Sequence, residues 1–505
     1  MIQFILNNET LSTNEPAGLT VLDFIRYKKH LKGTKIGCRE GDCGACTILV
    51  GELVGENVKY LSMTSCLTPL ANVQAKHVVT VEGININEPC QMFDDRNETI
   101  AKTRIPQTPD IVHPLTPVQS AMVEENGTQC GFCTVGFVMS LTGLCLENQA
   151  ITQAETLQAI DGNICRCTGY KSIERAAQRL TTLLQTRDVH GSALEFAIEN
   201  HIVPAYFSSI KKRLTELKTF QKFSTFGKLD NAMYVSGGTD LYVQKHDSMT
   251  HTPSSHLFDE KILRGVNLVE NNNTTIQQSN THYFEIGGAA TVSDLKSSPA
   301  LNGTFPFLQQ HLRLVSSTPI RNMATIGGNL VNASPIGDMT VFLLALDATI
   351  VLRSTDESSV SRHIPLKDFY KGYKKLDKTD AEILTKIRFK QPQGDYHFNF
   401  EKVSKRTELD IASVNTAILL KTEGGFITEA HLSMGGVSPI PLFLKQTTHF
   451  LIGKDPLSIL GNFDEINAIL QAEISPMSDV RGSADYKRLL ASQLIKAHFV
   501  ELFST

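Results

Sequence analysis

Eight of the ten cysteines in this 505-residue chain stand in two tight sets within its first third, and none follows Cys167. Cys38, Cys43 and Cys46 lie in "CREGDCGAC", with Cys66 twenty residues on. Cys130 and Cys133 lie in "QCGFC", and Cys165 and Cys167 in "NICRC". Disulfide scaffolds belong to small secreted chains, whereas clustered thiols converge on metal. The first set has the C-x4-C-x2-C…C spacing of a plant-type [2Fe–2S] site. Structural zinc uses paired C-x2-C knuckles, which the x4 gap does not match, so zinc is the lesser alternative. Gly37, Gly41 and Gly44 allow backbone N–H groups to approach the sulfurs with no Cβ in the way.

The flanking pattern predicts a small sheet around the first set. Residues 2–6, 47–50, 58–62 and 78–83 read as strands, and "TVLDFIRYKKHL" from Thr20 reads as an amphipathic helix with Thr20 and Asp23 as its capping box. These make a β-grasp ferredoxin domain over residues 1–88. The second set is C-x2-C, then C-x-C after 31 residues, in a helical context. Thr116 and Pro117 read as the cap and first residue of one helix. "TVGFVMSLTGLCLEN", "TQAETLQAI" and "SIERAAQRLTTLL" read as three more. A helical-bundle [2Fe–2S] domain over 89–185 follows, its thiolates favoured by helix N-termini. Cys145 reads as a core residue and Cys90 as part of a connection.

Net charge is −4, from 48 basic and 52 acidic residues, which excludes a nucleic-acid binder that relies on basic excess. No apolar run spans a bilayer, and the N-terminus lacks the pattern of a secretory signal; the expectation is a cytoplasmic protein.

Residues 186–212 read as a linker. Two glycine motifs follow, neither of them a dinucleotide-fold or P-loop fingerprint. "MYVSGGTD" runs from Met233 through Tyr234, Val235, Ser236, Gly237, Gly238 and Thr239 to Asp240. "TIGGN" comprises Thr325, Ile326, Gly327, Gly328 and Asn329, with Asp338 nearby. A double glycine after a strand lets backbone N–H groups face a pyrophosphate, although most such pairs mark turns. Strands are expected from about 396 onward, and "ADYKRLLASQLIKAHFVELF" closes the chain as a helix.

"CREGDCGAC…C" followed by "QCGFC…CRCTGY" resembles the iron–sulfur half of the xanthine oxidase family of molybdenum hydroxylases. The resemblance implies one [2Fe–2S] cluster per cysteine set, with Gln129 and Cys167 at positions that approach the pterin in relatives. Val135 stands where the family has proline. The glycine motifs resemble the family's vanillyl-alcohol-oxidase-like α/β FAD-binding domain, here 200–392, followed by an α+β domain of carbon monoxide dehydrogenase flavoprotein type, 396–505. The likeness implies that 233–240 and 325–329 wrap the FAD pyrophosphate and that Asp338 and Lys402 contact the flavin. Val315 stands where relatives place an aromatic, and Tyr373 in "DFYKGYKK" matches a tyrosine near the nicotinamide site or marks a surface turn.

The implied protein is a multidomain α+β electron-transfer subunit of the xanthine dehydrogenase kind. Electrons from purine oxidation would pass through both clusters to FAD and NAD+. No molybdopterin domain precedes Thr505, so that centre is expected on a large partner subunit, in a heterodimer or a dimer of heterodimers. An aldehyde or aromatic hydroxylase subunit, or a non-catalytic iron–sulfur carrier, are the alternatives.

Overall fold

The computed structural model describes residues 1–85, 115–188, 190–219, 233–270, 282–355 and 360–504. Cys90 and the expected boundary at 88/89 lie outside them. The chain divides into two units, Met1–Phe223 and Ser224–Thr505.

In the first unit, β1 (Ile2–Leu6), β2 (Glu9–Thr13), β3 (Thr47–Val54), β4 (Asn57–Thr64) and β5 (His77–Val79) form one sheet in the order β2-β1-β5-β3-β4. Only the β1–β5 pair is parallel. The helix expected from Thr20 is shorter than its pattern. One α-turn, Val21–Asp23, passes into a π-helical turn over Phe24–Lys28 that buries Phe24 and Ile25. The capping box is also altered. Thr20 Oγ1 accepts from Asp23 N at 3.1 Å, but the Asp23 carboxylate accepts from the Thr20 hydroxyl and from Arg39 rather than from the Thr20 backbone. The 78–83 strand stops at Val79, and Val81–Ile84 is helical.

The four expected helices are present as Pro117–Glu124, Thr134–Cys145, Gln153–Ala159 and Lys171–Leu184. Thr116 and Thr152 each make a full capping box. Val135 is the second residue of Thr134–Cys145, so the helix starts without the proline. Cys145 is fully buried. Phe137, Leu141 and Ile173 from the helices share one core with Leu49, Tyr60 and Val79 from the sheet. The two cysteine sets therefore sit in fused modules.

The segment 186–212 is not a linker. It contains helix Ala193–Glu199 and the start of Phe207–Thr219, which turn back onto the sheet. Ile210 and Leu214 bury against Ile5, and Lys218 Nζ donates to Leu53 O at 2.8 Å. The expected domain start at 200 thus falls inside a helical pair belonging to the first unit. The pair is amphipathic, with Ala193, Ala197, Phe207, Ile210 and Leu214 buried and its polar residues facing solvent.

In the second unit, β6 (Met233–Val235) and β7 (Ser254–His256) form a short parallel pair. β8 (Val266–Glu270), β9 (His282–Gly287), β10 (Thr349–Ser354) and β11 (Ser361–Pro365) form a five-stranded sheet with a later strand, β14 (Glu382–Lys390), in the order β11-β10-β14-β9-β8. Between them β12 (Tyr370–Gly372) and β13 (Lys375–Leu376) make a hairpin with Tyr373 exposed at its tip. The C-terminal sheet is β15 (Tyr396–Val403), β16 (Val414–Glu423), β17 (Phe426–Gly435) and β18 (Leu442–Phe443), all antiparallel. Strand alternation gives it two faces. Ala417 joins the core containing helix Asp338–Ala345, while Ile418 and Leu420 join the core of the closing helix Ala484–Phe503.

Candidate functional site: two thiol tetrads and a glycine-lined fold

Each cysteine set resolves into two contacting thiol pairs. In the first, Cys38 and Cys43 lie in the loop between the π-helical turn and β3; Cys46 immediately precedes β3 and Cys66 follows β4. Cys38 and Cys43 hydrogen-bond each other, as do Cys46 and Cys66. The bond from Cys43 lowers the Cys38 thiol to about 5 and raises its own donor, and the Cys46–Cys66 pair divides the same way, Cys46 lowered and Cys66 raised. Backbone donors point at the sulfurs: Glu40 N lies 3.3 Å and Cys43 N 3.4 Å from Cys38 Sγ. Such proton-sharing pairs become thiolates when metal displaces the protons.

Gly44 has φ +65°, and a Cβ there would stand 2.2 Å from Gly162 O, so both conformation and space require glycine. Arg39 holds φ +60° without being glycine. Its guanidinium grips Asp23 with bonds of 2.8 and 3.1 Å, so the left-handed turn after Cys38 is tied to the helix cap.

The second set pairs across its two motifs. Cys167 Sγ lies 3.5 Å from Cys130 Sγ, and Cys133 hydrogen-bonds Cys165. Cys133 is the N-cap of helix Thr134–Cys145. Cys130 and Cys167 lie in turns rather than at helix ends, which corrects the expectation that helix dipoles serve all four. The backbone N–H of Phe132 lowers Cys130, whereas burial raises Cys133 to about 12. Thr168 donates to Cys165 Sγ through its backbone N at 3.4 Å. Cys46, Cys66 and Cys165 are buried, while Cys130 and Cys167 are exposed beside exposed Gln129, Phe132 and Tyr170. Among the described residues no three ligating side chains converge as for a single ion. A centre of two irons and two sulfides holds its four thiolates around a larger volume, and these donor sets, with N–H groups aimed at sulfur, fit it.

The modules meet at their cysteine loops. Ile164 N donates to Cys43 O at 3.0 Å, joining a residue of the first set to the neighbour of Cys165.

In the second unit the two glycine motifs come together. β6 carries Met233, Tyr234 and Val235, and Ser236–Gly237 lead to Gly238, which caps helix Thr239–Met249 at φ +84°. A Cβ on Gly237 would lie 1.9 Å from Met323 O and 3.5 Å from the Thr325 methyl. Thr325 caps helix Ile326–Asn332, accepting from Gly328 N at 3.3 Å. Gly327 N donates to Gly288 O at 2.9 Å. Asp240 Oδ1 accepts from Asn332 Nδ2 at 2.7 Å, and Asn332 Oδ1 accepts from Lys374 Nζ at 3.0 Å. Burial raises the Asp240 carboxyl and lowers the Lys374 ammonium, each opposed by the other's charge. Asn332 thereby connects both glycine motifs to the hairpin that bears Tyr373.

Asp338 opens helix Asp338–Ala345. Its Oδ2 accepts from Lys402 Nζ at 2.8 Å and its Oδ1 from Asn415 Nδ2 at 2.6 Å. Lys402 also donates to Leu314 O at 2.7 Å. Asn329 Oδ1 accepts from Thr340 N at 3.2 Å. Val315 is a core residue, its carbonyl held by the buried Arg321. On these same segments the buried Ser316 Oγ, Ser317 Oγ and Asn415 Oδ1 have no partner within the protein. Orphaned buried polar atoms, in the same unit as two helix starts lined by glycine, fit a polar, phosphate-bearing cofactor such as FAD.

Arg39, Asn163, Asn332 and Asn415 escape a sequence reading. Arg39 and Asn163 sit inside or beside the cysteine motifs, a position that could have flagged them. Nothing local marks Asn332 or Asn415.

Four domain families match the chain: a 2Fe-2S iron-sulfur cluster binding domain over residues 4–71, a [2Fe-2S] binding domain over 100–178, the FAD binding domain in molybdopterin dehydrogenase over 214–391, and the CO dehydrogenase flavoprotein C-terminal domain over 400–502. Xanthine dehydrogenase of Emericella nidulans is 28% identical over 97% of this chain and 38% of its own length. Xanthine dehydrogenase 1 of Arabidopsis thaliana is 28% identical over 87% of this chain and 35% of its own. The chain therefore spans well under half the length of these relatives. A solved Cu,Mo-CO dehydrogenase in cyanide-inactivated form is 26% identical, with a TM-score of 0.48, over 54% of this chain and 90% of that one. No helix among the described residues is long and apolar enough to cross a membrane.

Proposed function

We propose that this chain, a member by its four domains of the xanthine oxidase family of molybdenum hydroxylases, is the electron-transfer subunit of a cytoplasmic purine-oxidising enzyme that reduces NAD+. The observation that carries this reading is the pairing of two complete thiol tetrads in one fused unit with a flavin-domain pair in the same chain. Cys38, Cys43, Cys46 and Cys66 would hold one [2Fe–2S] cluster, and Cys130, Cys133, Cys165 and Cys167 the other. Residues 233–240 and 325–329 would hold the FAD pyrophosphate, with the Lys402–Asp338 pair beside the flavin. When bound, the clusters pass single electrons and FAD gathers two for release as hydride.

The chain's own residues bind, orient and shield. Backbone N–H groups of the first cysteine loop stabilise thiolate charge. Asp23 and Arg39 keep that loop's left-handed turn. Burial of Cys46 and Cys66 excludes water, while the exposed Cys130–Cys167 edge offers a place for electrons to enter. Phe132 and Tyr170, 45% and 38% exposed there, suit docking of a large molybdopterin-binding subunit on which the purine would be hydroxylated. The substrate is selected on that partner.

Metal and flavin analysis of the purified chain tests the reading. The expected result is four irons, four sulfides and one FAD, NADH oxidation with an artificial acceptor, and xanthine turnover only after addition of the partner. Two irons per chain, or no reaction with NADH when FAD is bound, overturns it.

A further inference from the structure

We infer that Asn163 fixes the separation of the two cysteine loops and is a positioning residue for one-electron exchange between the centres they hold; this rests on the two-cluster reading above. Asn163 is 5% exposed, and both ends of its carboxamide are engaged. Its oxygen accepts from Ser140 Oγ at 2.7 Å, on the helix capped by Cys133. Its nitrogen donates to Gly44 O at 3.1 Å, between Cys43 and Cys46, and reaches Thr47 Oγ1 at 3.4 Å. Asn163 itself stands two residues before Cys165. One side chain, two residues before Cys165, thus ties the Cys133-capped helix of its own module to the residues next to Cys43 and Cys46 in the other.

The packing around it has no slack. A Cβ on Gly44 would lie 2.4 Å from Asn163 Nδ2, and a Cβ on Gly136 would lie 2.2 Å from Gly44 O. The next residue along the chain, Ile164, makes the hydrogen bond to Cys43 O. Cys43 and Cys165 are therefore joined by a short covalent path with one hydrogen bond in it, and Asn163 holds that bond in register. Packing alone would be met by leucine, which has nearly the same shape and carries no polar atoms to satisfy. A fully paired buried amide contributes orientation instead, because each end accepts only one kind of partner.

In the exchange, one electron leaves the reduced [2Fe–2S] centre held by Cys130, Cys133, Cys165 and Cys167. The oxidised centre held by Cys38, Cys43, Cys46 and Cys66 takes it up. No bond is made or broken and no proton moves. The rate depends on the separation and on the bonded path between the centres, both of which Asn163 sets.

The test is Asn163→Leu in the full chain carrying its clusters. Three readouts are followed: magnetic splitting between the two reduced clusters at low temperature, hydrogen exchange at the Ile164 amide, and electron equilibration after flash reduction. The expected outcome is wild-type iron content with loss of the splitting, faster exchange at Ile164 and slowed equilibration. Unchanged splitting and equilibration with both clusters present overturn the inference, even if the melting temperature falls, since a purely structural role would lower stability alone. Should Asn163→Leu not accumulate folded, Ser140→Ala frees one end of the carboxamide. The same changes in smaller measure support the inference, and none refutes it. A wild-type chain without two cluster signals would sink the two-cluster reading itself, which separates the two failures.

Discussion

Lys402 Nζ lies 2.8 Å from Asp338 Oδ2, and the lysine side chain is 1% exposed. β15 of the C-terminal sheet supplies the cation, and the first residue of helix Asp338–Ala345 supplies the anion. A carboxylate at a helix start is favoured by the unpaired N–H groups there, and a buried ammonium needs such a partner. Asn415 and the Leu314 carbonyl complete the set, so the pair locks the C-terminal sheet to the flavin-binding fold.

Removing one partner leaves the other charge buried. Lys402→Met should destabilise the second unit by about 3–5 kcal/mol. Denaturant unfolding of the full chain measures it. The double variant Lys402→Met/Asp338→Asn should recover part of the loss, and strict additivity of the two single changes would show that they are not coupled.

Gly237→Ala places a methyl group 1.9 Å from a backbone carbonyl, which no rotamer relieves. FAD content should fall, with a stability loss of about 1–3 kcal/mol from overpacking. Gly303→Ala is the control. Gly303 lies in the helix Pro299–Thr304 with nothing within 4 Å of its Cβ position, so flavin content should be unchanged and stability equal or slightly higher.

Cys43→Ser should remove the signal of the first cluster and keep the second, and Cys165→Ser the reverse, because no cysteine pair bridges the two sets. Iron should fall from about four to about two per chain in each. Loss of both signals from a folded single variant would contradict the two-tetrad assignment.

His77 is fully buried between two fixed partners. Asn7 O at 2.9 Å can only accept, so Nε2 carries the proton and Nδ1 accepts from Tyr60 OH at 2.8 Å. Burial pushes the imidazole down to about 3. The unfolded chain binds a proton near pH 6.5 and the folded one does not. This contribution to stability is complete above pH 6.5 and drains away as pH falls toward 3, at up to about 1.4 kcal/mol per pH unit. Melting temperatures from pH 7.5 to 5 should decline, and His77→Gln should be less stable at pH 7.5 with a shallower decline. An equal slope in the variant would assign the acid sensitivity elsewhere.

The sequence by itself marked out the two cysteine sets and the modules that carry them. Ligand spacing, glycine placement and capping residues are local properties, encoded within a few residues of where they act. Thr116–Pro117, the helix 134–145 and the strands from 396 onward were legible for that reason. The 186–212 segment was not, because an amphipathic pair reveals its buried face only when the sheet carrying Ile5 and Leu53 is there to receive it. The Asp23 carboxylate is taken by Arg39 and the Thr20 hydroxyl, a contact with Arg39 invisible in the local pattern. Tertiary structure alone decided which distant polar groups meet: Asn163 with Ser140 and Gly44, Asn332 with Asp240 and Lys374, Asp338 with Lys402 and Asn415. Each joins partners 23 to 119 residues apart, and all but the exposed Asn332–Lys374 bond are buried or partly buried. Such pairs form where separate elements converge, and burial leaves polar atoms no water to turn to, so the fold must supply the partner.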